Sequence, residues 1–369
     1  MIVVGNPANR RVTMFQAALA AQGHPAAKVL AWRDLAEPGA PARVHLEGVV
    51  RLDSAGEDDD VERAFLRRGE SAAREGGFDA IDAASLEALP KSFGRILYPR
   101  QQHLGFLAVL DEIERAAGRA TTRLLPATSA IRLLFDKAAT SALCRELEIP
   151  VPDSLPKVTH PDALREEMRR AGFSSVFVKL TSGSSASCLA LFVHGPRGEH
   201  VITTIADTGD ARFNTRKLQR LVDRAQIDRT LGFILGEGAH VERSIPKARL
   251  GGRYCDLRVL VIDGEPAFVV PRTSPHPITN LHLGGQRGDL AELRAKISTD
   301  AWERAMESCV KLQRASGAFH VGVDLMFEPG WQHHRILEGN AFGDLLPNLE
   351  RDGLDVYGWQ IRRLLARRL

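Results

Sequence analysis

The dipeptide Asp263-Gly264 stands between two apolar runs, residues 256–262 and 267–272. A tight two-residue hairpin turn needs positive φ at both positions, which glycine adopts freely and aspartate tolerates, so the pair commits the chain to an antiparallel ladder. A second pair of strands is expected at 320–327 and 333–338 around Pro329-Gly330. A third spans 174–180 and 188–193, joined by the small-residue loop 181–187, and 239–245 reads as a further strand. The start of the chain follows another pattern. An apolar run at 1–5, helical spacing over 12–22 and a strand-like run at 27–32 make a βαβ unit, hence a parallel sheet. Gly5-Asn6-Pro7-Ala8-Asn9 lacks the spaced glycines of a dinucleotide site. The fold class expected is therefore α/β followed by α+β.

At 369 residues, 44% hydrophobic and 26% charged, there is material for two or three packed domains. The formal net charge is +3, from 49 basic and 46 acidic residues interspersed. No broad field then points to nucleic acid or an anionic membrane as partner. No basic leader precedes an apolar core, and no run approaches the ~20 apolar residues of a membrane span, so a soluble, cytoplasmic protein is expected. Cys144, Cys188, Cys255 and Cys309 are widely spaced and read as buried reduced thiols. The acidic run 57–60 reads as the start of a helix over 61–74, where the dipole favours carboxylates. One helix is expected over 128–147, with Thr128 as its cap and Lys137 inside, and another over 354–369.

Three groups of residues carry chemistry. Asp324 sits in the apolar strand Val321-Gly322-Val323-Asp324-Leu325-Met326-Phe327, and Ile336-Leu337-Glu338-Gly339-Asn340 follows. A hairpin sets Asp324 beside Glu338, with Asn340 on the same face two residues on. Three hard oxygen donors so placed suit Mg²⁺; the alternative is a set of paired or solvent-facing acids. Lys137 and Lys179 form the second group. A lysine at a strand end before a small-residue loop can hold a phosphate, although either alone also reads as a snorkelling surface residue. Arg258 and Arg272 lie in the apolar runs of the Asp-Gly hairpin, each either paired with an acid or aimed at an anionic ligand. His333 and His334 are adjacent on a strand and point to opposite faces, which argues against a shared metal. His276, Asn280 and His282 lie in a loop after Arg272 that either lines an acceptor pocket or crosses the surface.

The order of these pieces resembles the ATP-grasp superfamily. The matching stretches are Phe135-Asp136-Lys137, Phe177-Val178-Lys179 with Gly183, Val241-Glu242-Arg243-Ser244-Ile245-Pro246, Asp256-Leu257-Arg258, Arg272, Gly322-Val323-Asp324 and Glu338-Gly339-Asn340-Ala341-Phe342. They cover about residues 124–350. The resemblance implies an N-terminal α/β domain over 1–123, a central lobe with a lid over 124–243 and a C-terminal lobe with the metal site over 244–369. It implies that ATP lies between the lobes, with Lys137, Lys179 and the lid residues Ser182, Gly183 and Ser184 on its phosphates. Glu242 and Ile245 would meet adenine, Arg258 and Arg272 the transferred phosphoryl group, and Asp324, Glu338 and Asn340 one or two Mg²⁺, with Mn²⁺ a substitute. The lid carries serines where many relatives have glycines. The function implied is a ligase joining a small-molecule carboxylate to an amine or thiol through an acyl phosphate, with a homodimer left open. A kinase and a degenerate nucleotide-binding protein are the alternatives.

Overall fold

The computed structural model describes residues 1–118, 122–183, 187–196 and 198–367. The first sheet is formed by β1 (Ile2–Gly5), β2 (Lys28–Ala31), β3 (Gly48–Leu52) and β4 (Thr122–Leu125). They pair in parallel in the order β2-β1-β3-β4, as the βαβ opening requires. The second sheet contains β5 (Ser175–Leu180), β6 (Leu189–Gly195), β7 (Gly198–Asp207), β8 (Arg212–Leu221) and β9 (Ala239–Arg243). It is antiparallel, in the order β8-β7-β6-β5-β9. The third comprises β10 (Arg249–Leu250), β11 (Arg253–Ile262), β12 (Glu265–Ser274), β13 (Gln286–Arg287), β14 (His320–Phe327) and β15 (His334–Asn340). It runs β13-β12-β11-β14-β15, with β10 on β11.

The Asp263-Gly264 turn has the backbone its residues foretell, φ 54 and 78, and Ile262 pairs with Glu265 directly across it. The second expected hairpin also forms, but its turn is the whole stretch 328–333 rather than Pro329-Gly330 alone. The single helix expected over 128–147 is two, Thr128–Phe135 and Lys137–Glu146. Asp136 divides them because its carboxylate accepts the Ala139 amide at 2.9 Å, capping a new N-terminus. Lys137 is therefore the first residue of a helix, not an interior one, and Thr128 follows the cap Ala127. The acidic run does start a helix, Asp59–Glu75, capped by Asp58.

The first and third sheets share one core. Val4 and Val50 from one and Val259, Val321 and Val323 from the other belong to the same buried cluster. The second sheet has a core of its own, built from Val176, Val178, Phe192 and Val201 against Ile227 and Leu231 of helix Arg224–Gly236. Hydrogen bonds also tie the N-terminal region to the rest, some of them close to the cleft and the second sheet. Residues 94–96 lie along β8: Asn214 N donates to Gly94 O and Ile96 N to Arg212 O, both at 2.8 Å. Arg11 Nη1 donates to Phe342 O at 2.9 Å, just beyond Asn340. Helices Asp59–Glu75 and Pro99–Ala117 cross at glycines: a Cβ on Gly69 would stand 1.9 Å from Gln101 O, and one on Gly105 1.8 Å from Phe65 O. Among the described residues no helix is long and apolar enough to cross a membrane. All four cysteines are buried and free.

Candidate active site

A cleft between the second and third sheets gathers most of the residues singled out above. Along β5 the inward positions Val176, Val178 and Leu180 enter the lobe's core, which leaves Phe177 and Lys179 facing the cleft. Lys179 lies opposite His240 on β9 and forms an ion pair with Glu242, two residues further along that strand. His240 Nε2 is 3.6 Å from the other Glu242 oxygen. Burial alone would raise the Glu242 carboxyl, but Lys179 and His240 overcome it and hold the group down at about 2. Lys137, at its helix start, donates to Gly183 O and stands 3.3 Å from Glu338 Oε1. It thus joins the helix, the small-residue loop and β15.

The facing wall is a row of charges across the third sheet. Register sets Arg272 against Asp256, Arg258 against Asp324, and Asp324 against Glu338. Arg272 Nε lies 2.8 Å from Asp256 Oδ1 and its Nη2 3.1 Å from Asp324 Oδ2. Arg258 Nε is 2.7 Å from Asp324 Oδ1, and its Nη1 3.7 Å from Asp344 Oδ2. Each arginine is ion-paired, as the first of the two alternatives has it, and each also lines the cleft. Burial opposes the Arg272 charge, yet Asp256 and Asp324 raise its pKa above the usual arginine value. Burial likewise works against the Asp256 carboxylate, while Arg272 and Lys247 pull its pKa below normal. Asp324 goes the other way, raised by burial against the pull of Arg258 and Arg272.

The metal reading can be tested on the same atoms. Although Arg258 Nε and Asp324 Oδ1 form a close ion pair, their angle makes no hydrogen bond, and this buried carboxylate oxygen has no hydrogen-bond partner among the described residues. Asn340 donates through Nδ2 to Gly322 O at 3.0 Å, which spends its nitrogen and leaves its amide oxygen as the available donor. Two carboxylates and an amide oxygen are hard donors of the kind Mg²⁺ takes with water and phosphate, so the residues fit such an ion. Among the described residues no three His, Cys, Asp or Glu side chains gather as a metal group.

Gly183 and Ile245 line the cleft as well. Ser182 does not; it lines a second cavity next to it. Ser184 lies outside the described residues. Of the loop after β12, Pro277, Ile278, Thr279 and Asn280 reach the cleft, and Ile278 packs on Leu189 of the second sheet. His276 is not among the lining residues, and the His282 side chain lies outside those described. His334 faces the core and pairs with Ser308 Oγ at 2.9 Å. Sequence reasoning missed a buried knot: Lys247 Nζ lies 2.7 Å from Thr279 Oγ1 and 3.2 Å from Asp256 Oδ2, and Thr279 also bonds Asp256.

No protein-family model and no curated protein matches the sequence. Solved structures do resemble the fold. The ATP-grasp ligase PsnB, solved with a minimal precursor, is 18% identical with TM-score 0.55, covering 99% of this chain and 98% of its own. The D-cycloserine synthetase DcsG is 15% identical with TM-score 0.56 and 99% of both chains covered. The macrocyclase MdnC of Microcystis aeruginosa MRC, bound with precursor peptide MdnA, is 12% identical with TM-score 0.52, again over 99% of both chains. With its parallel first sheet, two antiparallel sheets and a charged cleft between them, this chain has the ATP-grasp fold from end to end.

Proposed function

We propose that the protein is an ATP-dependent ligase that activates a carboxylate as an acyl phosphate and joins it to an amine. The observation that carries this reading is the meeting, in one cleft, of Lys137, Lys179, Arg258 and Arg272 with the oxygen donors of Asp324, Glu338 and Asn340. Further support comes from PsnB, which has been solved with Mg and ADP and with AMPPNP. Bound at Asp324, Glu338 and Asn340, Mg²⁺ would supply charge neutralisation to the phosphate tail. Lys137 and Lys179 would bind that tail, and Glu242 and Ile245 the base. A substrate carboxylate oxygen attacks the γ-phosphorus, and the bond to the bridging oxygen breaks, releasing ADP. Arg258 and Arg272 stabilise the charge developing on the phosphoryl oxygens. The amine then attacks the acyl carbon, loses a proton, and phosphate departs. PsnB and MdnC were solved with precursor peptides and DcsG is a synthetase of a small molecule, so the substrates proposed include peptides as well as small carboxylates and amines.

Calorimetry with AMPPNP and Mg²⁺ tests the reading. Binding should depend on the ion, and Asp324→Asn should weaken it at least tenfold, about 1.4 kcal/mol, because one anionic ligand is lost. Absence of AMPPNP binding to the wild-type chain would sink the proposal. A phosphorylated acceptor in place of amide and free phosphate would move the enzyme to the phosphotransferases.

A further inference from the structure

A second cavity, about 420 Å³, lies where the N-terminal region meets the lobes. Helices Asp59–Glu75 and Pro99–Ala117 and residues 90–97 form its walls, and Leu180, Gly183 and Ser187 line both it and the cleft. The two spaces therefore meet at the small-residue loop, where the phosphates are proposed to lie. Much of the wall is apolar: Phe65, Leu66, Ile96, Phe106, Phe135 and Phe342. His103 stacks on Phe135 with the rings 8° apart and stays neutral, because burial drops its pKa to about 3.

Most of the charges in this wall already have partners. Arg11 donates to Phe342 O at 2.9 Å, Arg63 donates to Leu86 O at 2.6 Å and Leu89 O at 2.7 Å, and Lys91 pairs with Asp60. Glu62 is different. It is half-buried and lines the cavity, and its side chain has no hydrogen bond or ion pair among the described residues. The charged groups that act on it are Asp59 and Asp58, both acidic. A carboxylate so placed lacks only a cation, and neighbouring side chains supply none. Arg95, elsewhere in the same wall, also has no ion pair among the described residues, so the space offers both signs of charge.

We infer that this cavity is the seat of a substrate bearing a free ammonium group, an α-amino acid or the amino-terminal residue of a short peptide, with Glu62 as counter-ion. Its side chain would lie on the aromatic wall, and the opening at Gly183 would bring it to the phosphates. The inference rests on the ligase reading for its chemistry, but the binding itself can be measured separately.

The test uses the full chain, with and without AMPPNP and Mg²⁺, and a panel of the twenty amino acids, their Xaa-Gly dipeptides, and the N-acetyl form of each. Calorimetry should find at least one free amine bound, with its N-acetyl form at least tenfold weaker. Glu62→Gln should weaken that amine tenfold or more while AMPPNP affinity stays at the wild-type value, which also serves as the control for folding. No binding by any free amine, equal binding of an acetylated form, or wild-type affinity in Glu62→Gln would each overturn the assignment. Loss of AMPPNP binding in the wild-type chain alone, with amines still held at Glu62, would instead remove the ligase reading and keep the site.

Discussion

At the residue scale, Arg272 shows how far a site residue can also be structural. It contacts two carboxylates, and one of them, Asp256, is 3% exposed. Arg272→Ala would leave Asp256 with only Lys247 and Thr279, and removing one partner of a buried pair costs about 3–5 kcal/mol. Thermal unfolding should therefore show a large loss of stability in this variant together with any loss of turnover, and an unchanged Tm would show that the network is not what holds the sheet. Glu62 makes the opposite prediction. Burial and the acids beside it push its pKa up to about 7, whereas in the unfolded chain it ionises near 4.5. The folded state thus binds the proton more tightly, and ionising the group costs stability as pH rises from about 4.5 through 7. Glu62→Gln removes that cost, so the variant should melt above the wild type at pH 8 and level with it at pH 4.5. A gain that persisted at pH 4.5 would point to a cause other than charge.

At the scale of elements, the crossing of helices Asp59–Glu75 and Pro99–Ala117 decides the shape of the second cavity, whose wall they carry. Glycine inside a helix ordinarily costs about 1 kcal/mol against alanine, so Gly105→Ala would stabilise an isolated helix. Here the new Cβ would meet Phe65 O, a backbone atom that cannot swing aside. Forcing the helices apart should cost about 2 kcal/mol net, within the range for overpacking, and a denaturant midpoint equal to wild type would refute the close approach. The elements most legible in the sequence were those with a local signal. The Asp-Gly hairpin announced itself, and the facing of Asp324 and Glu338 followed from strand alternation. β7 and β8 went unread. β8 is a largely polar edge strand, Arg-Phe-Asn-Thr-Arg-Lys-Leu-Gln-Arg-Leu, and offers no alternation to read. The knot of Lys247, Asp256 and Thr279 was hidden for another reason: its members come from three segments and meet only through the tertiary fold. The break at Asp136 is a capping event inside an apolar periodicity that runs on unbroken in the sequence.

At the scale of the whole molecule, two sheets share a core and form a base, while the sheet bearing Lys179 and Glu242 is packed as a body of its own. That body is stitched along β8 to residues 94–96, which belong to the loop that walls the second cavity. If the proposed nucleotide tilts the sheet, the two bonds along β8 give the loop a path by which to follow. Linkage then makes the effect mutual: whatever factor the nucleotide contributes to amine affinity, the amine returns to nucleotide affinity. Ile96→Pro deletes the amide that donates to Arg212 O. Ile96 also lines the amine cavity, so the comparison is made at amine concentrations that calorimetry shows to saturate each protein. There the dissociation constant of AMPPNP should no longer respond to the amine in the variant, whereas in the wild type it should shift severalfold, and equal shifts in both would show that the stitch transmits nothing. Each ligand's occupancy would then be set in part through three residues of borrowed backbone, and a preparation saturated with one would report an altered affinity for the other.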